Sequence, residues 1–298
     1  MQAGELGFVA ADGVRLVGTL ARPERDDPHP AALLVSGSGP LDRDSNMRGQ
    51  RLDVAAALAA SLAARGVASL RFDKRGVGAS GGEYLTAGFE RETDDAASAL
   101  RALRDATGVD RERLTVVGHS VGATVAIRLA ARYPWLAGAA LLAAAGASGA
   151  EVMRLQSERI AASLRGLRRL GAKRFLRRQA EIRALLAASD GDVLDLEGGL
   201  PARWFREFMT YDPAGDLRAV TCPVLALTGR KDLQVDPDDV ERIGSLVAGE
   251  FTGSTPAQLT HVLRVQSGRP SLAAYRSLLR RPVDADLLET VSTWVAER

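Results

Sequence analysis

The sequence predicts an α/β fold: a mostly parallel central sheet flanked by helices and interrupted once by a helical insertion. Three observations carry this expectation. Short apolar runs alternate with helix-period segments along most of the 298 residues. Several of those runs are apolar at consecutive positions, as a strand covered on both faces must be. The alternation fails in one place only, between about residues 148 and 215.

Taken in order, LGFVA (6–10) and VRLVGTLA (14–21) read as two strands joined through ADG, an antiparallel hairpin at one edge of the sheet. ARPERDDPHP (21–30) is a polar turn. AALLVSG (31–37), ASLRFD (68–73), RLTVVGHS (113–120), LAGAALLAAAG (136–146) and CPVLALTG (222–229) supply the further strands. Helical patterns lie between them at about 50–65, 88–106, 121–133 and 236–248, and a last one spans 284–297. Residues 151–189 read as helix throughout, GDVLDLEGGLP (191–201) loosens, and ARWFREFMTYDP (202–213) brings aromatics together. The expected organisation is a core of residues 1–147 and 213–298 with a helical lid, 148–212, lying over the end of the sheet.

Composition removes several classes of function. At 46% hydrophobic residues the chain can bury a large core, yet no segment approaches the roughly 18 to 20 uninterrupted apolar residues of a membrane span. MQAGELGFVAADG lacks the basic and apolar regions of a secretory leader, so the expected setting is cytoplasmic. A single cysteine, Cys222, excludes an internal disulfide and a multi-cysteine metal site, and reads as a small buried residue. Net charge is +2 with the signs interspersed, which gives no nucleic-acid footprint even though 36 of the 39 basic residues are arginine. Within 151–183, ten basic residues face three glutamates. That is either a solvated helix surface or a patch that attracts an anionic substrate or partner.

The chemistry is concentrated in LTVVGHSVGATVAI (114–127). A strand that turns sharply into a helix through Gly-x-Ser-x-Gly holds the serine hydroxyl above the strand's carboxyl end, with Gly118 and Gly122 removing side chains that would collide. Ser120 is therefore the candidate nucleophile. The Val121 amide opens the helix and points where an oxyanion would form. A hydroxyl needs a base to take its proton and an acid to orient that base. Of three histidines, His29 lies in a proline-flanked turn and His119 inside the elbow, which leaves His261 as the base. The acid belongs in a loop just after a strand, where PVLALTGRKDLQVDP supplies Asp232. Asp236, Asp238 and Asp239 read instead as the cap and first turn of the next helix. SGSGP, after the third strand, offers the Ser38 amide as a second oxyanion donor. Trp204, Phe205 and Phe208 either line an acyl pocket or pack the lid onto the core.

Two motifs imitate other functions. GVGASG (76–81) matches a dinucleotide pattern, but DKR separates it from its strand and GEYLTAG follows where a helix should, so no cofactor is expected. DRDSN (42–46) begins like a calcium loop, but Met47 stands where glycine is required and Asp53 where the closing glutamate belongs. A hydrogen-bonded loop rather than a metal site is expected.

SLRFDKRGVGASGG, VVGHSVGAT, PVLALTGRKDLQV and LTHVL, in that order and spacing across nearly the whole chain, resemble the α/β-hydrolase fold enzymes. GSGPLDRDSN and YDPAGDL are similar to segments of bacterial esterases and serine-aminopeptidase-like hydrolases within that group. The resemblance implies a lid over the site and a structural role for DKRGVGASGG. Relatives usually carry histidine before the oxyanion glycine, where this chain has Ser36. The expected function is a serine hydrolase acting on a small acyl ester. Thioester, lactone or amide hydrolysis and acyl transfer use the same machinery, and a non-catalytic ligand-binding fold-mate is the reading from another class.

Overall fold

A computed structural model of the chain describes residues 2–24, 28–196 and 198–298, and in residue 167 the backbone alone. Its eight-stranded sheet contains β1 (Gln2–Val9), β2 (Arg15–Arg22), β3 (His29–Val35), β4 (Ala68–Phe72), β5 (Val109–His119), β6 (Gly138–Leu142), β7 (Val224–Leu227) and β8 (Phe251–Ser254). The spatial order is β1-β2-β4-β3-β5-β6-β7-β8. β2 runs antiparallel to β1 and β4, and every pairing from β4 to β8 is parallel.

The period of two along the central strands divides two cores. Ala31, Leu33 and Val35 of β3 join Leu114 and Val116 of β5 on one face, against α2 (Phe89–Arg104) and α3 (Val121–Arg132). Ala32, Leu34 and Val117 face the other way, against α1 (Val54–Ala64) and α9 (Ala285–Ala296). This two-sided burial is why the strands read as unbroken apolar runs. Each parallel strand ends at the same edge, and the loops that leave that edge build the site.

Between β6 and β7 lie α4 (Gly149–Ser163), α5 (Ala172–Ala188), α6 (Ala202–Thr210) and α7 (Ala214–Ala219). The single helix expected over 151–189 is divided. Leu164 and Arg165 are extended, and Gly166 at φ 54° starts a 3-10 turn, a conformation glycine adopts at no steric cost. α6 docks on α2 through polar contacts as well as aromatics. Glu207 accepts from the Glu90 amide at 2.9 Å, filling the helix N-terminus, and the Trp204 indole donates to Glu92 at 2.6 Å. Phe89, fully buried, takes Trp204, Phe208 and Tyr211 around its ring at 5.5 to 5.9 Å.

Three other sequence expectations shift. β8 was not expected, because FTGS is short, half exposed and carries no apolar run; parallel pairing to β7 makes it a strand. The helix expected from residue 50 starts at Val54, since Gln50–Arg51 pair with Asn46–Met47 in a small hairpin. His29, expected in a turn, is the buried first residue of β3. Of the polar turn at 21–30, residues 25–27 lie outside the described residues. Cys222 is buried, and that burial pushes its thiol pKa up to about 11. No helix among the described residues is long and apolar enough to cross a membrane.

Candidate active site

β5 delivers Ser120 to the carboxyl edge in a strained conformation, φ 56° and ψ −125°, and its amide donates to Leu142 O at 2.8 Å. The flanking glycines are dictated by space. A Cβ on Gly118 would stand 2.1 Å from Gly122 O, and one on Gly122 would stand 2.2 Å from Val35 O. Nothing larger lets α3 leave the strand so tightly.

Ser120 Oγ lies 3.0 Å from His261 Nε2, and His261 Nδ1 lies 2.8 Å from Asp232 Oδ2. Ser120 and His261, 141 positions apart in sequence, and His261 and Asp232, 29 apart, thus form one hydrogen-bonded line. Two close backbone approaches bring the Asp232 and His261 loops together. A Cβ on Gly229 would stand 2.0 Å from Leu259 O, and the Lys231 amide donates to that same carbonyl at 3.0 Å. The Asp232 carboxylate spends its second oxygen on the Gln234 and Val235 amides, at 2.7 and 2.9 Å. Asp232 and His261 are buried, whereas Ser120 is partly exposed to the cleft.

The His261 loop is held from three sides by groups that sequence reasoning passed over. Thr260 closes it on Arg264 O, at 3.1 Å through its amide and 2.8 Å through its hydroxyl. The buried Arg264 guanidinium donates to Val262 O at 2.7 Å and to Leu52 O at 2.6 Å. His119 Nε2 donates to His261 O at 2.9 Å, which fixes His119 as the Nε2–H tautomer and leaves Nδ1 a lone pair with no partner among the described residues. Burial, and after it the neighbouring His261, depress the His119 pKa to about 4.

Opposite the elbow, the loop after β3 comes close enough that a Cβ on Gly37 would stand 3.2 Å from Ser120 Cβ. Ser38 and Val121 both border the cleft, and neither backbone amide donates to a backbone acceptor among the described residues. The DRDSN segment that follows is hydrogen-bonded throughout. Asp42 accepts from the Asp44 and Asn46 amides, Arg43 grips Asp73 with two guanidinium nitrogens, and Asp44 pairs with Arg71 at 2.6 Å. In the DKRGVGASGG loop, burial works against the Asp73 charge, but Arg43 and the Ala79 and Arg43 amides hold its carboxyl below the usual range. Gly78 has positive φ and presses on that carboxylate, so the dinucleotide-like glycines serve a turn around Asp73.

A cleft of about 450 Å³ opens over Ser120, its floor shared by Ser38, Val121 and His261 and its wall formed by Trp204, Phe205 and Phe208. The three aromatics do not share one environment. Trp204 and Phe208 are buried, stacked on each other at 5.0 Å, and belong to the core around Phe89; Phe205 is half-buried. A smaller chamber of about 210 Å³ reaches Ser120 and His261 from the other side, past Met47, Gln50 and Tyr275. The Asp232 loop is also tied to α4, by Gln156 to Gln234 at 3.1 Å and Arg159 to Asp236 at 2.6 Å. Asp236 therefore does more than the helix-start role expected of it. The N-cap of α8 (Asp239–Leu246) is Asp238, whose side chain caps nothing.

A family model described as serine aminopeptidase, S33, matches residues 48–252. Esterase EstD of Thermotoga maritima is 26% identical over 289 residues, which cover 95% of this chain; the chain spans 66% of that relative's own length. Among solved structures, the esterase domain of a Rhodothermus marinus protein superposes with a TM-score of 0.61 at 19% identity, over 100% of this chain and 99% of that one. Est1E of Butyrivibrio proteoclasticus, solved with ferulic acid bound, superposes at 0.64 with 18% identity, over 97% and 96%.

Proposed function

Since the chain belongs to the serine aminopeptidase S33 family of α/β hydrolases, we propose that it cleaves carboxylic esters through Ser120, His261 and Asp232 by way of an acyl-enzyme. The observation that carries this reading is the hydrogen-bonded line from Ser120 Oγ through the His261 ring to Asp232 Oδ2, at 3.0 and 2.8 Å.

In the proposed reaction His261 Nε2 takes the Ser120 proton as Oγ adds to the acyl carbon. The negative charge that develops on the carbonyl oxygen is met by the Ser38 and Val121 amides, and the α3 N-terminus adds its dipole. The leaving alcohol departs with the proton from His261. Water, activated by the same imidazole, then releases the acid and restores Ser120. Asp232 holds the tautomer with Nδ1–H and steadies the imidazolium. Residues 148–212 act as a lid whose aromatics receive the acyl chain, and a small acyl ester is the substrate.

An ester is favoured over a peptide with a free amino terminus by the cleft itself. The described residues lining it include no aspartate or glutamate to meet an α-ammonium group, and most are apolar. The name of the Thermotoga relative points the same way. The test is a graded series of nitrophenyl acyl esters run beside thioester and anilide analogues, with fluorophosphonate labelling to locate the nucleophile. Turnover of esters well above the anilides, with the adduct on Ser120, is the expected result; label elsewhere rejects the mechanism.

A further inference from the structure

Lys74 follows β4 in the DKRG segment and is 6% exposed, an unusual place for an ammonium group. Its Nζ donates to two acceptors, the Gly37 carbonyl and Glu92 Oε1, and its backbone amide donates to Leu41 O at 3.3 Å. Both ends of the residue thus bind the segment that carries the Ser38 amide. The other Glu92 oxygen accepts from the Trp204 indole at 2.6 Å.

The covalent geometry of that segment gives the contact its meaning. Gly37 C=O and Ser38 N–H belong to one peptide unit, and no cis bond occurs among the described residues. In a planar trans peptide the C=O and N–H vectors are opposed. An ammonium fixed on the Gly37 oxygen therefore aims the Ser38 N–H away from Lys74, toward the side where Ser38 borders the cleft with Ser120. Charge on the carbonyl oxygen also polarises the peptide and makes its N–H a stronger donor, an effect water does not dilute at a buried site.

We infer that Lys74, held by Glu92, is a positioning residue for the oxyanion-binding peptide Gly37–Ser38, aiming and polarising the Ser38 amide from behind. Glu92 neutralises the buried ammonium and ties it to Trp204, so the wall of the acyl pocket and the oxyanion donor share one anchor. The inference rests on Ser120 being the nucleophile. Its contribution belongs to the transition state, where the oxyanion exists, and not to ground-state binding.

The experiment compares wild type with Lys74→Met and with the double variant Lys74→Met/Glu92→Gln. The double variant leaves no buried charge unpaired, so it keeps the test valid if the single variant fails to fold. For a nitrophenyl ester, kcat should fall roughly ten- to a hundredfold, below the full loss of an oxyanion donor, while KM stays within about threefold. The second readout is an aryl trifluoromethyl ketone. Its carbonyl carbon accepts Ser120 Oγ, the hydroxyl proton passes to His261, and the resulting alkoxide needs the same donors. Its inhibition constant should rise by the factor by which kcat falls, while that of the product carboxylate should not move. A folded double variant with unchanged kcat and unchanged ketone affinity overturns the inference, as does a loss confined to KM. If those variants are unaffected and Ser120→Ala is inactive, only the Lys74 inference fails; if Ser120→Ala stays active, the reading of the site fails with it.

Discussion

His261 Nδ1 meets Asp232 Oδ2 at 2.8 Å while Asp232 Oδ1 takes two backbone amides of its own loop, so the carboxylate is fixed as an acceptor on both oxygens. An asparagine there can keep the Oδ1 bonds only by turning its NH2 toward the imidazole. That donor would select the tautomer with the proton on Nε2, the wrong one for accepting from Ser120. Asp232→Asn should therefore lower kcat by roughly 10⁴ with little change in thermal stability. Asp236→Asn loses an ion pair to Arg159 between partly exposed groups and should keep activity within about threefold, at a stability cost of about 1 kcal/mol or less. Steady-state kinetics and melting curves of the two variants decide it; an inactive Asp236→Asn beside an active Asp232→Asn would move the acid one helix start along.

Ser120 pays for its position in backbone strain, not in side-chain contacts. Alanine adopts the φ 56° elbow no worse than serine does, so Ser120→Ala should melt with the wild type. Turnover should drop by about 10⁶, the scale seen when the nucleophile of such a unit is removed. Residual ester hydrolysis within tenfold of wild type would exclude Ser120 as nucleophile.

The α6 aromatics separate by burial. Phe208, 6% exposed and ringed by Phe89 and Trp204, should cost about 3 to 5 kcal/mol as alanine, visible in urea unfolding. Half-buried Phe205 meets the cleft with less of the core behind it. Phe205→Ala should leave the melting temperature within a few degrees and shift the preference toward longer acyl esters. A chain-length profile identical to wild type would assign Phe205 to packing alone.

The fold and the strand-to-helix elbow at Ser120 were legible because both rest on local patterns: period-two strands apolar on both faces, and glycines at fixed offsets from Ser120. Asp232 and His261 followed from order along the chain. What supports them was hidden, for a physical reason. Arg264 reaches Leu52 across 212 positions, and Lys74 finds Gly37 across 37. No periodicity or local spacing encodes which loop a long cationic side chain will brace. His119, passed over as base for its place inside the elbow, uses that place to hold the His261 carbonyl. The break between α4 and α5 runs through extended Leu164 and Arg165 into Gly166 at positive φ, and β8 is made by pairing rather than by composition.

That histidine also dictates how the protein responds to acid. Burial, with His261 alongside, lowers the His119 pKa from 6.5 to about 4, so the folded site keeps the ring neutral where an unfolded chain would protonate it. Between pH 6.5 and 4 the unfolded state thus binds more protons, and stability must fall as pH falls through that window. A displacement from 6.5 to about 4 corresponds to about 3 kcal/mol in all, most of it already lost by about pH 4.5. His119→Gln removes the titration while its amide can still donate to the His261 carbonyl. Urea unfolding of both proteins at neutral pH and near pH 4.5 should show a loss about 2 kcal/mol smaller in the variant, with His29 and His261 common to both. Equal losses would mean that His119 binds its proton in the folded state, and the Nε2–H contact to His261 would then have to hold for an imidazolium as well.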